Sequence, residues 1–309
     1  MSAKSKALNL YKHFDQYQEF AWMDGREVAI DSVIEQKYWD FAIERMKIFH
    51  LKDSGQPRPW TEDVILNRNY FTNCYRELDK VSLWIHEWLQ PCLYDKKIAL
   101  LNIMFARYIN LPQTLEIVGN ISLDKSENLE SRARFAAIEG PKFNTAYLFP
   151  QAGLSIIGAK TREEFLYEKL PELVHPIYEL LMSDKKHSIQ HLTNSIHAIL
   201  GFKNPFHMTE IMMDFGYQFP EYIDEFKYLE MGRGAAPTCK ILNPKAKPED
   251  VAFTLMKHQP VESFPYLTLN DKKILITTCN IEGIACEFRK YCSLLEGKGR
   301  NRKYYGQPL

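Results

Sequence analysis

The chain has 309 residues, of which 45% are hydrophobic, 25% charged and 13% aromatic, with 39 basic side chains against 39 acidic ones. That length and balance support a large buried core and exclude a core-poor disordered chain, while the zero net charge excludes a polyanionic partner held by a global positive field and leaves only a local basic patch to meet one. No apolar run approaches the roughly 18 residues that span a bilayer, Met1-Ser-Ala-Lys-Ser-Lys6 lacks the apolar core of a secretory signal, and the six cysteines form no CxxC pair, so the expectation is an intracellular protein with reduced thiols and no membrane partner.

Residues 1–35 are polar and aromatic without a sustained period, and read as an extension that docks onto a body formed by 36–309, one helical domain or two packed lobes. From Lys37 the apolar positions Phe41, Ile43, Met46 and Ile48 predict a helix that Gly55-Gln-Pro-Arg-Pro59 ends. Trp60-Thr61-Glu62-Asp63 reads as the next start, with Thr61 as N-cap and acids in the first turn. Phe71, Cys74, Tyr75, Leu78, Ser82, Ile85 and Leu89 then share one face at about 100° per residue, so one long helix is expected through Leu89.

The stretch from Lys96 to Ile109 is apolar nearly all round and is expected to be buried, yet it carries Asn102 and Arg107. A buried arginine requires an anionic partner. Short helical pieces and loops alternate over 111–160, and 161–183 and 186–199 are helical again. Gly201 to Pro205 breaks the second of these before a helix from Thr209 to Phe215. The stretch 231–265, rich in Gly, Pro and Lys, reads as a long functional loop. The last helix, about Ile281 to Leu295, buries Ile281, Ile284, Ala285, Phe288, Cys292 and Leu295, and its tail from Gly297 to Tyr305 is basic with adjacent tyrosines. Strands are few, and the fold class is mainly α.

Gly153-Leu-Ser-Ile-Ile-Gly158-Ala-Lys160-Thr161 resembles a phosphate-binding P-loop superficially but has one residue too many before the lysine. His187, His191 and His197 lack an acid or cysteine at ligand spacing, so they read as a helix face and no metal is expected. Leu200-Gly201-Phe-Lys-Asn-Pro-Phe-His207 followed by an apolar helix has the outline of a helix-hairpin-helix, in which backbone N–H groups of a short turn meet a DNA phosphate; an ordinary interhelical turn fits it as well. Two charged faces stand out. Thr72, Arg76 and Asp79 fall at i, i+4 and i+7 on the expected helix after Trp60, and Glu282, Cys286 and Arg289 do so on the last helix. Either alone reads as a solvated, salt-bridged face. Arg45, Arg107 and Arg233 add cations in apolar or glycine-rich surroundings, which a phosphate-bearing substrate would explain.

An ordered set of runs resembles the helical enzymes of thymine hypermodification in phage DNA, namely the α-glutamyl/putrescinyl-thymine pyrophosphorylases or amino acid:DNA transferases, and the helical domain of 5-hydroxymethyluracil DNA kinases. The runs are Ile43-Glu-Arg-Met46, Pro59-Trp-Thr-Glu-Asp63, Tyr70-Phe-Thr-Asn-Cys-Tyr-Arg-Glu-Leu-Asp79, Phe105-Ala-Arg-Tyr-Ile-Asn-Leu-Pro-Gln-Thr114, Asn144-Thr-Ala-Tyr147, Gly232-Arg-Gly-Ala235, Ile281-Glu-Gly-Ile-Ala-Cys-Glu-Phe-Arg-Lys-Tyr291 and Gly297-Lys-Gly-Arg300. The resemblance implies a helix-hairpin-helix, DNA-glycosylase-like fold. The chain departs from the family pattern at Gly201-Phe-Lys-Asn204, which holds less glycine than usual, and at Arg233, where proline is usual. With no P-loop motif, the transferase side of the group is the closer one.

The implied reaction displaces pyrophosphate from diphosphorylated 5-hydroxymethyluracil in DNA by an amine or amino acid, without a cofactor. The expected partners are therefore DNA containing modified thymine and a small amine co-substrate. Asp79, Glu282, Glu287 and Cys286 are the catalytic candidates, the carboxylates to accept the amine proton and Cys286 as a thiol nucleophile. Arg45, Asp63, Asn73, Arg76, Arg107, Asn144, Tyr147 and Lys290 are the candidates for substrate and phosphate, with Tyr147 or Trp60 to stack an extruded base. Gly201, Lys203, Arg233, Lys298, Arg300 and Arg302 are the DNA-contact candidates. The two charged faces are expected to meet, with Arg76 or Asp79 within ~10 Å of Glu282 or Cys286. Rival readings are a glycosylase or lyase using Asp214 or Lys240, and a non-catalytic module that binds modified DNA.

Overall fold

The computed structural model describes residues 3–10, 25–144, 149, 151–183, 186–224, 229 and 231–298. Most of these are helical: α1 (Ala3–Leu8), α2 (Ser32–Asp53), α3 (Val64–Arg68), α4 (Lys80–Trp88), α5 (Lys96–Ile109), α6 (Pro112–Val118), α7 (Leu129–Ala137) and α8 (Gln151–Ile156) lead to α9 (Arg162–Glu164). A π turn (Phe165–Lys169) carries α9 into α10 (Leu170–Leu181), and α11 (Ile189–Leu200), α12 (Pro205–Gln218), α13 (Ala236–Leu242), α14 (Pro248–Lys257) and α15 (Thr278–Leu295) complete the set. β1 (His187–Ser188) pairs in parallel with β2 (Ile223–Asp224), and β3 (Thr268–Leu269) forms a hairpin with β4 (Lys272–Lys273). Asn270 and Asp271 between them have φ of 50° and 62°, the left-handed pair that a two-residue hairpin turn demands. The class is mainly α, as the periodicity indicates, and no helix among the described residues is long and apolar enough to cross a membrane. All six cysteines are free thiols.

Two compact units divide the chain, Met1–Asp79 with Phe226–Leu309, and Lys80–Glu225. In the first unit Asp31 caps α2, its Oδ1 accepting from the amides of Val33 at 2.9 Å and Ile34 at 3.0 Å. α2 buries Tyr38, Phe41, Ala42, Met46 and Ile48. α15 packs on α2, α3, α13 and α14, joined to α2 by an edge contact of Tyr38 with Phe288 at 5.5 Å and a tilted one of Phe41 with Tyr291 at 5.0 Å.

The single helix expected from Trp60 to Leu89 is broken. It consists of α3, a loop, a 3-10 turn (Arg76–Leu78) and α4, with Asp63 rather than Thr61 as the first cap. Asn69 to Tyr75 are all mediocre helix formers, and Asn69 turns extended (φ −115°, ψ 143°) while its Nδ2 bonds the Ile65 carbonyl at 3.0 Å. The apolar period survives because Phe71, Cys74, Tyr75 and Leu78 are buried from the loop as they would be from a helix. The stretch 231–265 also departs from the long loop expected of it, since it holds α13 and α14. Pro237 and Pro248 lie in their first turns, where the missing N–H is no loss.

In the second unit α5 is buried over most of its length and packs on α10 and α12. Arg107 finds its anion in Asp214 of α12, which takes both Nε and, at 2.8 Å, Nη2. Ser82 Oγ, Asn110 Oδ1 and Glu210 Oε2 surround the rest of the guanidinium at 2.9, 3.3 and 3.5 Å. α11 ends at Gly201 (φ 74°), and the turn to α12 is closed by the Asn204 amide, which donates to His197 Nε2 at 3.0 Å.

Candidate functional site

α15 organises the first unit's charged cluster through two faces. On one face lie Asn280, Glu287 and Tyr291, at i, i+7 and i+11. Asn280, itself 1% exposed, accepts the Arg76 amide on Oδ1 at 3.0 Å. Glu287 Oε2 takes the Thr72 amide at 3.3 Å, and Tyr291 donates to Asp63 Oδ2 at 2.6 Å. Lys290 donates to the Tyr70 carbonyl, stands 3.3 Å from Glu287 Oε2 and lies 4.2 Å over the Phe71 ring. The loop 69–79 is thus bound to α15 at Tyr70, Phe71, Thr72 and Arg76.

The other face carries Glu282, Cys286 and Arg289. Against it lies the segment Gly232-Arg-Gly234, so close that a Cβ on Gly232 would fall 2.8 Å from Glu282 Oε1, and one on Gly234 2.4 Å from Cys286 Sγ. The Glu282 carboxylate could swing away from a Cβ at 232, whereas at 234 the Cys286 Cβ also lies 3.3 Å away, so the close approach favours glycine there. Arg289 Nη1 donates to the Arg233 carbonyl at 3.3 Å, and Thr238 Oγ1 to the Ala285 carbonyl at 2.7 Å.

Arg45, on α2, is 4% exposed. Its Nη2 donates to the carbonyls of Phe71 at 2.7 Å and Thr72 at 3.1 Å, and its Nε and Nη1 find no hydrogen-bond partner among the described residues. No carboxylate is bonded to it, so a positive charge underlies the 70–72 loop. Asn73 Nδ2 reaches the Leu78 carbonyl at 3.4 Å, and Asp79, extended at φ −67° and ψ 129°, ends the 3-10 turn. Burial, and after it Glu282 and Glu287, pushes the Cys286 thiol up to about 11. On the order of one molecule in ten thousand would carry the thiolate at neutral pH. Cys286 is therefore held in its non-nucleophilic form.

A family described as 5-hmdU DNA kinase, helical domain, matches residues 32–299. The chain belongs to this family. Over 122 residues it is 30% identical to a 5-hmdU DNA kinase of Bacillus phage SP10, a match covering 37% of this chain and 19% of that relative; the chain thus spans a small part of the relative's length. No solved structure matches. The family match embraces the whole cluster, from Arg45 through Lys290.

The remaining candidates lie elsewhere or have other work. Asp63 is the N-cap of α3, accepting the amides of Ile65 and Leu66 at 2.8 and 2.9 Å as well as the Tyr291 hydroxyl. Arg107, Asn144, Gly201 and Lys203 belong to the second unit. The phosphate-binding role expected of Arg107 gives way to a structural one, because its donors are turned to Asp214, Ser82 and Asn110 and none of the residue is exposed. Asp214 is equally enclosed, with His86 Nε2 3.3 Å from its second face, which deprives the glycosylase reading of that carboxylate. Asn144 ties its own segment to the end of α5, its amide to the Ile109 carbonyl at 3.0 Å and Nδ2 to the Asn110 carbonyl at 3.1 Å.

Arg233, Lys203, Lys240 and Lys298 are exposed, and Lys298 pairs with Glu296 at 3.0 Å. Trp60 donates to the Gln56 carbonyl at 2.7 Å and carries Arg58 over its ring at 4.9 Å. Tyr147, Arg300 and Arg302 lie outside the described residues. Among the described residues no group of His, Cys, Asp and Glu is placed to hold a metal; His187 and His191 stack at 5.6 Å, and His187 Nε2 meets Ser183 Oγ at 2.8 Å. Asn280 is a site residue that the periodicity did not single out, and Phe71 entered it only as a member of the apolar face. The signal available for Asn280 was its place two residues before Glu282, at the start of the last helix.

Proposed function

We propose that the chain modifies 5-hydroxymethyluracil in DNA, displacing pyrophosphate from the diphosphorylated base with an amine or amino acid. The C–O bond from the 5-methylene to the diphosphate breaks with its electron pair leaving on pyrophosphate, the amine nitrogen forms the new C–N bond, and the amine proton passes to a carboxylate. Arg76 and Lys290 bind the leaving diphosphate. Glu282, Glu287 or Asp79 accepts the proton. Arg45 sits too deep to touch a base and acts by fixing the 70–72 loop from below. The observation that carries this reading is the cation-bearing loop 69–79 held on the α15 face that bears Glu287 and Lys290, inside a region matched by a family named for a kinase of this modified nucleoside. Cationic side chains and proton acceptors held on rigid elements a few ångströms apart are what displacement of a diphosphate requires.

The test is mass spectrometry of nucleosides after incubating the protein with DNA carrying diphosphorylated 5-hydroxymethyluracil and a mixed amine pool. An aminated thymine together with released pyrophosphate is the expected product. Free base would instead mark a glycosylase. Tight binding of 5-hydroxymethyluracil DNA without turnover would mark a recognition module.

A further inference from the structure

Arg162 opens α9 in the second unit. Its guanidinium carbon lies over two aromatic rings, 4.7 Å from the centroid of Phe143 and 6.0 Å from that of Phe149. Among the described residues it makes no hydrogen bond and no ion pair. Its acidic neighbours are engaged elsewhere, Glu163 with Arg132 Nε at 2.9 Å and Glu164 with the Lys160 amide at 2.7 Å. The contrast with Arg132, which holds Glu163 and Glu168, and with Arg107, which holds Asp214, is plain. Partial burial strips Arg162 of water and lowers its pKa. A partly dehydrated cation without a counter-ion is unfavourable, and an anion arriving at it recovers that cost.

The aromatic support continues into the α11–α12 turn. Phe149 stands 5.8 Å from Phe202, which sits in that turn, and 4.9 Å from Phe165. Gly153 of α8 presses on Phe202 from outside, where a Cβ would lie 2.8 Å from the ring. Lys203, next in the turn, is exposed. The other charges nearby do not neutralise Arg162: Arg107 is matched by Asp214, and His207 is held neutral at pH 7, its pKa pushed down to about 4 by burial, against Glu210 and in the same direction as Arg162 and Arg107.

We propose that Arg162, seated on Phe143 and Phe149, is the anchor of a phosphate-binding site in the second unit. An aromatic face under the guanidinium leaves its planar fork of N–H donors to meet two oxygens of one phosphate. The phosphate comes from a DNA strand or from free pyrophosphate, and the choice of DNA as first probe rests on the function proposed above.

The full chain, as wild type, Arg162→Gln and Arg162→Lys, is titrated with an unmodified DNA duplex and, separately, with inorganic pyrophosphate, at two salt concentrations. Arg162→Gln should lose about tenfold in affinity for one probe, and for duplex DNA flatten the log–log salt slope by about 0.9. Arg162→Lys should fall between, keeping charge but not the fork. Loss toward DNA assigns the site to a backbone phosphodiester, and loss toward pyrophosphate alone to a free phosphate. Unchanged affinity of Arg162→Gln for both probes overturns the site and leaves the proposed function standing. A wild type that binds neither probe overturns both. If Arg162→Gln melts early, Arg162→Lys carries the test, and wild-type affinity in it for both probes overturns the site.

Discussion

Arg107 and Arg45 are both buried arginines on helices, yet they live differently. Arg107 is 0% exposed and meets the carboxylates of Asp214 and Glu210, a hydroxyl and an amide oxygen, so its charge is cancelled within the second unit. Arg45, at 4% exposed, donates to the carbonyls of Phe71 and Thr72 and lies 5.7 Å from the centroid of the Phe71 ring, with no carboxylate bonded to it among the described residues. Two carbonyl dipoles do not cancel a full charge, and the loop they belong to carries Lys290 and Glu287 contacts on its outer side. The first arrangement is a closed network that holds α4, α5 and α12 together. The second leaves a positive field under a loop half open to solvent, which is the condition for binding an anion there.

The largest effect that tests this contrast is on the closed side. Asp214→Asn keeps the shape but leaves buried Arg107 with only Glu210, 3.5 Å from Nη1, as a carboxylate partner, and should cost about 3 kcal/mol of unfolding free energy by denaturant titration. Arg45→Met, which removes a charge from among carbonyls and fills the space with an apolar chain, should cost less. Equal losses in the two variants would mean that the two buried arginines are held alike.

On the open side, Arg76→Ala should reduce amine transfer by about 10²–10³ in kcat, the worth of one fixed donor to a developing anion, while the melting temperature stays near wild type. Insoluble protein instead would place Arg76 among structural residues like Arg107. Gly234→Ala drives a Cβ to 2.4 Å from Cys286 Sγ, and should destabilise by about 1–3 kcal/mol. Adding Cys286→Ala should restore most of that loss; strictly additive effects would mean the two residues do not press on each other.

The sequence carried the parts of this picture that depend on local pattern. The apolar run of α5 and the period of α15 reveal both helices, and Arg107 on α5 announces its need for an anion. Its partner is not legible, because Asp214 stands 107 residues away and nothing local distinguishes it from other helical aspartates. The same distance hides the 204-residue link from Arg76 to Asn280. Around 231–265 composition misleads for a physical reason: Gly234 packs closely on Cys286 of α15, and Pro237 and Pro248 sit in the first turns of helices, so a packed region has the composition of a loop. At 69–79 the error runs the other way, since a buried loop kept a helical period. The face of Thr72, Arg76 and Asp79 does not exist as a helix face, yet the first two of these residues are drawn to α15 by their backbone amides instead.

The smallest expected effect concerns how the segment 25–31 is held on the first unit. It lies along α13 and α14 through the Val28 amide to Thr254 Oγ1 at 3.0 Å, the Ala29 carbonyl to Asn243 Nδ2 at 2.7 Å, and the Asp31 amide to the Leu242 carbonyl at 2.9 Å. His258 fastens it further, with Nε2 3.1 Å from Glu27 and Nδ1 2.8 Å from Glu35, while Lys257 stands 2.6 Å from Glu27. Burial would lower the His258 pKa, but hydrogen bonds to Glu27 and Glu35 outweigh it and raise it, and Lys257 and His258 lower that of Glu27. Because the folded His258 pKa is raised, its contribution is complete below the ordinary histidine value of about 6.5 and is lost as pH climbs through the folded value. The lowered Glu27 pKa gives a contribution that is complete above the ordinary glutamate value and is lost as pH falls through the folded one. Docking should therefore be tightest between those limits. Amide exchange at Val28 and Asp31, taken as protection relative to the intrinsic rate at each pH, should weaken above neutrality in the wild type and lose that alkaline limb in His258→Gln. Protection that is flat from pH 6 to 9 in the wild type would mean that the three backbone-level bonds hold the segment unaided.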